Sequence, residues 1–388
     1  MRRLLSIIVA TILSATLYAQ APKEVFDILN LDYKGLERVK TLLMDRDSVS
    51  AREALLDYYR QRKGAVAPNI DTSNITLSDQ ERRWADEALV HKFFVHSGYQ
   101  PSFFYGDDID WEYWPVKDNE LRWQLHRMKW WVPMGKAYRL TGDEKYAKEW
   151  RVQYLDWIAK NRLEGYINTD LEPVDLMSAK NVQFAWRPLE VSDRLEAQIA
   201  QFVLFLESDA FDAEFLCHFL TNYDRHCRHL VENFSLKGNH RLFQAQRVLY
   251  GAIFFPELKG SQQWADMAIE ILSKEIQLQV YEDGGQYELD PHYHLEAINI
   301  FFNALRMCQL NGRSEMLPDH YTSTIERMIE FHTSYMRPDY TMPLVSDARD
   351  LGKEHIVECY REWSRIFPQN QTILYYATEG KMGSLPQQ

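Results

Sequence analysis

The chain of 388 residues predicts an all-α fold. Apolar residues recur at spacings of three and four along most of its length. Gly and Pro stand in the gaps between those stretches. No alternating apolar–polar run is long enough to build a sheet. Consecutive amphipathic helices joined by short connections pack as helical hairpins, side by side. No fixed-period repeat appears, so a regular solenoid is not expected.

The elements follow in chain order. Arg2 and Arg3 open the chain, Leu4 to Leu17 is apolar, and Ala19-Gln20-Ala21 offers a small-residue cleavage site. Residues 1–21 therefore read as a secretory signal, with the mature chain starting near Pro22 and exported to a periplasm or beyond. The apolar run is short for a membrane span, and no later segment approaches one, so a soluble product without stable membrane association is expected. Helices are expected over 49–62 and 78–92. Residues 98–115 form a long aromatic and acidic loop, whose rings argue for order and whose length argues for a role. Leu121 to Leu140 reads as one helix stopped by Gly142. Asp143 caps the next helix, which carries Tyr146, Trp150, Tyr154 and Trp157 along one face, a spacing that reads as core. Further helices are expected over 188–207, 211–232, 240–255, 261–280, 292–311, 319–336 and 353–367. Gly238, Pro256, Gly260, Gly284-Gly285, Gly312 and Pro338 punctuate the gaps.

Composition narrows the function classes. A net charge of −12 makes the whole chain a poor electrostatic trap for nucleic acid or polyanions. An acidic polymer would need a local basic groove, and Lys and Arg form no runs that locate one. Eleven Trp and 22 Tyr suit stacking on sugar rings, although most are expected in the core. There is no nucleotide-binding glycine loop, nucleic-acid motif or Gly-x-Ser-x-Gly elbow. The cysteines are Cys217, Cys227, Cys308 and Cys359. Cys217 and Cys227 on one helix would lie roughly 15 Å apart, so buried thiols are expected rather than a disulfide framework. His218, His226, Cys227 and His229 match no zinc signature, and no metal site is assigned.

Two segments carry chemistry: Gly238-Asn239-His240-Arg241, and Asp283-Gly284-Gly285-Gln286-Tyr287-Glu288 running on to His292-Tyr293-His294. Asn239 follows a glycine at a helix start, where Asn commonly caps. Beside a uronate its amide would instead hydrogen-bond the carboxylate, easing the build-up of a neighbouring carbanion. His240 and Arg241 would stand near the same anion. The cationic neighbours of Tyr293 favour a phenolate, which can serve as general base and then general acid. The Gly284-Gly285 pair allows a tight backbone approach to a ligand. Glu288 and Asp290 are candidates to orient the histidines or arginines.

These segments, with Asp110-Trp111-Glu112-Tyr113-Trp114-Pro115 and Asn119-Glu120-Leu121-Arg122-Trp123-Gln124-Leu125-His126-Arg127, resemble the N-terminal domain of heparinase III-type heparan-sulfate lyases. Four motifs in the family's order carry the resemblance, which runs from about residue 25 to near the C-terminus. It implies an incomplete α/α toroid over residues 22–388 and cleavage of heparan sulfate by β-elimination at uronic acid. It places the catalytic Asn at Asn239 and the catalytic Tyr at Tyr293. His240, Arg241, Gln286, Glu288, His294, Trp111 and Gln124 are then expected to bind substrate. Family members continue into a C-terminal β-sandwich that supplies a further His, whereas this sequence stops at Gln388 without a β-rich region. The expected partner is an acidic polysaccharide, the expected state a monomer. No cofactor is assigned, and calcium dependence is left open. Competing readings are a lyase of alginate, chondroitin or hyaluronan, a toroid hydrolase using Glu288, Asp290 or Asp347, and a non-catalytic glycan-binding module.

Overall fold

The computed structural model describes residues 21–385. The segment read as an export signal lies outside the described residues, apart from its last residue. Among the described residues, no helix is long and apolar enough to cross a membrane. The chain clusters into two compact units, one of residues up to Leu236 with Tyr250–Ala265, the other of Lys237–Leu249 with Asp266 onward.

In the first unit α1 (Ala21–Ile28), α2 (Glu37–Met44), α3 (Ser48–Gln61) and α4 (Asp79–Ala88) precede a two-stranded antiparallel ribbon. That ribbon pairs β1 (Lys92–Phe93) with β2 (Phe103–Phe104). Then follow α5 (Asn119–Leu125), α6 (Trp131–Thr141), α7 (Glu144–Lys160), the single turn α8 (Val182–Ala185), α9 (Pro188–Phe205) and α10 (Ala213–Glu232). The caps are those the sequence offers. Ser78 and Glu81 form a reciprocal capping box at α4, and the Asp143 carboxylate accepts from the Lys145 N–H at the start of α7. Pro188 opens α9, where its missing N–H costs no hydrogen bond.

The aromatic face of α7 is core, as its spacing predicts: Tyr146, Trp150, Tyr154 and Trp157 are all buried. Trp150 stacks on Phe205 at 4.2 Å between ring centres. Indole N–H groups in such a core need acceptors, and Gln153 supplies one for two of them. Its Oε1 accepts from Trp130 Nε1 at 2.9 Å and Trp131 Nε1 at 2.8 Å. Its amide nitrogen donates to the Ala88 carbonyl and the Glu149 carboxylate, both at 2.9 Å.

One expected helix is two. Residues 121–140 divide into α5 and α6, with Met128 at φ 44° between them. Pro133 explains the break: it has no N–H and clashes with the carbonyl four residues back, so it is tolerated only in a first turn, and α6 starts at Trp131. Short helices α1, α2 and α8 and the ribbon lay below what periodicity resolves. The 98–115 loop is anchored, with Tyr105, Ile109 and Trp111 buried and Trp111 Nε1 donating to Asp156 Oδ2 at 2.7 Å.

Helices α11 (Gly238–Phe254) and α12 (Ser261–Gln279) each contribute residues to both units. The second unit adds α13 (Pro291–Leu310), α14 (Asp319–Tyr335), α15 (Lys353–Ile366) and α16 (Gln371–Ala377). Helix α13 packs on α14, and α15 on α16. All four cysteines are free thiols, three of them buried.

Between α12 and α13 the chain turns tightly: Tyr281 N–H donates to the Gly285 carbonyl, and Tyr287 N–H to the Gln279 carbonyl. Gly284 sits at φ +94°, and a Cβ there would lie 2.3 Å from the Arg327 carbonyl oxygen of α14. The close approach that glycine permits is thus to a helix backbone, not to a ligand. Gly284→Ala combines a left-handed backbone with a clash against a rigid helix. It should destabilise the protein by about 2–4 kcal/mol, measured as a lowered urea midpoint with the m-value unchanged.

Candidate active site

The candidate residues of the second unit gather around the chain between that turn and α13. Asp290 caps α13. Its Oδ1 accepts from the N–H groups of His292 at 2.8 Å and Tyr293 at 3.0 Å. Its Oδ2 accepts from the Asp347 N–H at 2.9 Å, which ties the loop between α14 and α15 to the start of α13. The carboxylate is buried and spent on three backbone donors.

Tyr293 therefore stands in the first turn of α13, half-buried, its ring 5.6 Å from that of His292. Among the described residues its hydroxyl has no hydrogen-bond partner. His292 Nε2 lies 3.4 Å from Arg349 Nη2 and 3.8 Å from Glu296 Oε1. A guanidinium only donates, so His292 accepts from Arg349. Arg349 is thus a permanent cation bonded to the residue before Tyr293, and no sequence signal marked it. It sits in an aperiodic loop, tied to the start of α13 by the Asp347–Asp290 bond and by its own bond to His292.

His294 has a different position from its neighbour. It is buried, accepts from the Gln286 N–H at Nδ1 (3.2 Å) and donates from Nε2 to the Met328 carbonyl (2.9 Å). Both ring nitrogens are committed, so as placed it offers nothing to a substrate. Gln286 is also buried, its Oε1 accepting from the Glu288 N–H at 3.0 Å. These two residues, expected to touch substrate, hold the turn.

Asn239 lies in the first turn of α11, behind Gly238 at φ +77°. It does not cap: its Oδ1 is buried without a partner, while Nδ2 donates to the Glu288 carboxylate at 3.2 and 3.5 Å. Glu288 also accepts from the Tyr287 hydroxyl at 3.2 Å. Burial, and then the Glu288 charge, raise the Tyr287 phenol above its ordinary range. Glu288 lies three residues before Pro291, so the residue that meets Asn239 is within roughly 11 Å of chain from the start of α13. The start of α11 and the chain entering α13 thus meet through the Asn239–Glu288 bond, and each helix start carries N–H groups with partial positive charge. Exposed His240 sits there too, and Arg241 Nε pairs with Glu275 at 3.4 Å.

The remaining candidates belong to the first unit. Trp111 is in the core, stacked with Phe93 at 5.8 Å. Gln124 is buried, its Nε2 donating to Glu120 at 2.6 Å. Neither reaches the surface. Beside them is a basic–aromatic patch that sequence alone did not locate: Lys117 Nζ lies 4.2 Å and the Arg122 guanidinium 5.0 Å from the centre of the Trp114 ring. The histidines of α10 serve the fold. His226 is buried between the Asn222 carbonyl, to which it donates at 2.7 Å, and Arg194 Nε, from which it accepts at 2.9 Å. Among the described residues no cluster of His, Cys, Asp and Glu is arranged to hold a metal ion.

Burial holds His294 far below the ordinary imidazole value of 6.5, at about 4. Between those values the unfolded chain binds a proton that the folded chain refuses, so stability falls as pH drops from about 6.5 towards 4. Denaturation profiles across that window should show this slope, and His294→Gln should be less stable at pH 7 but flatter below it.

Comparison with known proteins places the chain in a family. Residues 25–375 match the family model described as heparinase II/III N-terminus. The chain is 53% identical over 371 residues to a heparin-sulfate lyase of Bacteroides stercoris, covering 94% of this chain and 55% of that protein. It is 41% identical to a heparin-sulfate lyase of Pedobacter heparinus, covering 99% and 58% respectively. A solved heparinase III structure with methylated lysines superposes with a TM-score of 0.84 at 54% identity, over 94% of this chain and 57% of that one. The chain thus spans about half the length of the curated relatives it matches. The all-α class expected from sequence, of the α/α toroid type, is the fold it shares with them.

Proposed function

This chain belongs to the heparinase II/III family, and from that membership we propose that it is the helical part of a polysaccharide lyase that cleaves heparan sulfate by β-elimination at uronic acid. The observation that carries the reading is the neighbourhood of Asn239 and Tyr293. An amide that already donates to a carboxylate, and a phenol without a hydrogen-bond partner, stand at the starts of two adjoining helices.

Asn239 Nδ2 would donate to the uronate carboxylate, with the helix ends adding partial positive charge as negative charge spreads from C5 into that group. Tyr293, as phenolate, would take the C5 proton. The C5 electron pair becomes the C4–C5 double bond, the C4–O4 bond breaks, and the phenol returns the proton to O4. In a glucuronate linked through O4, the C5 hydrogen and O4 lie on one face of the ring, so one phenol serves both transfers. Arg349 and His240 would meet further anionic groups of the polymer. A hydrolase reading loses support, because Asp290 is held by capping and Glu288 by Asn239 and Tyr287, which leaves exposed Asp347 without the second carboxylate a hydrolase needs. Export by the N-terminal signal belongs to the same proposal, since a polymeric substrate lies outside the cytoplasm.

Tyr293→Phe should lower turnover about a hundredfold to ten-thousandfold with little change in melting temperature. Asn239→Ala should lower it roughly a hundredfold to a thousandfold. The assay follows the ultraviolet absorbance of the unsaturated product on glucuronate-rich heparan sulfate, with alginate, chondroitin and hyaluronan in parallel. An active parent whose Tyr293→Phe variant keeps most of its rate defeats the assignment. Product absorbance confined to another polymer moves the substrate. Binding without product makes the chain a glycan-binding module.

A further inference from the structure

The side-chain amide of Asn239 has two faces of opposite character. Nδ2 attracts a carboxylate; Oδ1 repels one. A half-turn about the terminal bond exchanges them with little change in shape, so something must fix which face is presented. In the structure that something is Glu288. A carboxylate accepts but does not donate, so the atom 3.2 and 3.5 Å from its oxygens must be Nδ2. Oδ1 is then directed into a buried position without a partner, an arrangement Asn239 would not adopt without the compensating bond.

Glu288 is itself pinned. Its N–H donates to Gln286 Oε1 at 3.0 Å, and its Oε1 accepts from the Tyr287 hydroxyl at 3.2 Å. Gln286 is buried and its backbone N–H donates to His294 Nδ1 at 3.2 Å, while His294 is anchored on α14 through the Met328 carbonyl. A continuous chain of hydrogen bonds therefore runs from the α14 backbone through His294, Gln286 and Glu288 to the amide of Asn239.

We propose that Glu288 is a positioning residue that sets the orientation of the Asn239 amide, holding one Nδ2 hydrogen itself and leaving the second for the substrate carboxylate. This rests on the role given to Asn239 above. It accounts for a carboxylate standing next to a group meant to receive another carboxylate, where charge alone would be unfavourable. It also gives Gln286 and His294 a function as supports, in place of the direct contacts expected from sequence.

The test compares Glu288→Ala, Glu288→Gln, Asn239→Ala and the double variant Asn239→Ala/Glu288→Ala, each checked for an unchanged melting curve. Loss of preorganisation should lower kcat of Glu288→Ala about tenfold to a hundredfold, with a smaller change in KM. Glu288→Gln keeps an acceptor oxygen for Nδ2 and should recover most of that loss. In the Asn239→Ala background, Glu288→Ala should add nothing. Three kinetic results overturn the proposal: an unchanged kcat in Glu288→Ala, a lower KM there because Glu288 competes with substrate, or Glu288→Gln as impaired as Glu288→Ala. A crystal structure of Glu288→Ala decides independently of activity. The Asn239 amide should rotate or disorder, and an amide that stays in place overturns the proposal. If it moves while Asn239→Ala remains fully active, the positioning role stands and the lyase reading falls.

Discussion

A single buried carboxylate, Asp290, fixes the geometry on which the rest of the candidate site depends. Carboxylates are costly to bury unless their oxygens are satisfied. Here three backbone N–H groups satisfy them, two from the first turn of α13 and one from Asp347. The first pair starts the helix and so sets where Tyr293 stands. The third draws in the loop that carries Arg349. One capping interaction thus places the candidate base and the cation beside its neighbour, although Asp290 is itself too enclosed to meet a substrate.

The same economy of polar groups runs through the first unit. Its core is crowded with indoles and phenols, whose flat faces pack well but whose N–H and O–H groups need acceptors. Gln153 answers two Trp N–H groups with one oxygen, and Gln201 accepts from a third, Trp150, at 3.2 Å. Arg194, wholly buried, stacks 4.6 Å from the centre of the Trp157 ring while donating to His226 and the His126 carbonyl. Burial depresses its guanidinium to about 9 and holds the neighbouring His126 near 3. Such residues resemble functional ones in a list of types, yet their hydrogen bonds are turned inward. The candidate site differs because Tyr293 keeps its hydroxyl uncommitted and Asn239 meets a carboxylate.

Much of this was legible in the sequence because it is local. Period-3.6 patterning gave most of the long helices, since an amphipathic stripe must face a core whatever that core contains. Asp143 read as a helix start because capping depends on neighbours within one turn. The cysteines read as free thiols because helical rise alone separates Cys217 from Cys227. The break at 126–130 was equally local, and Pro133 held the signal for it. Residues 238–241 and 283–294 stood out because they concentrate amides, imidazoles and glycines around a phenol.

What the sequence could not decide was which face each of those side chains turns to its surroundings. His292 and His294 are two residues apart in the chain, but a helix turns roughly 200° between them, so one meets Arg349 and the other the backbone of α14. Gly284 allows a close approach, but only packing shows that α14 is what approaches. Trp111 and Gln124 carry suitable chemistry for a sugar, and tertiary burial removes them from reach. Residue type, spacing and helical period are properties of the chain and determined the class of chemistry available. Burial, partner and amide orientation are properties of contacts between segments far apart in the chain, 57 residues in the case of His292 and Arg349, and only folding makes those contacts.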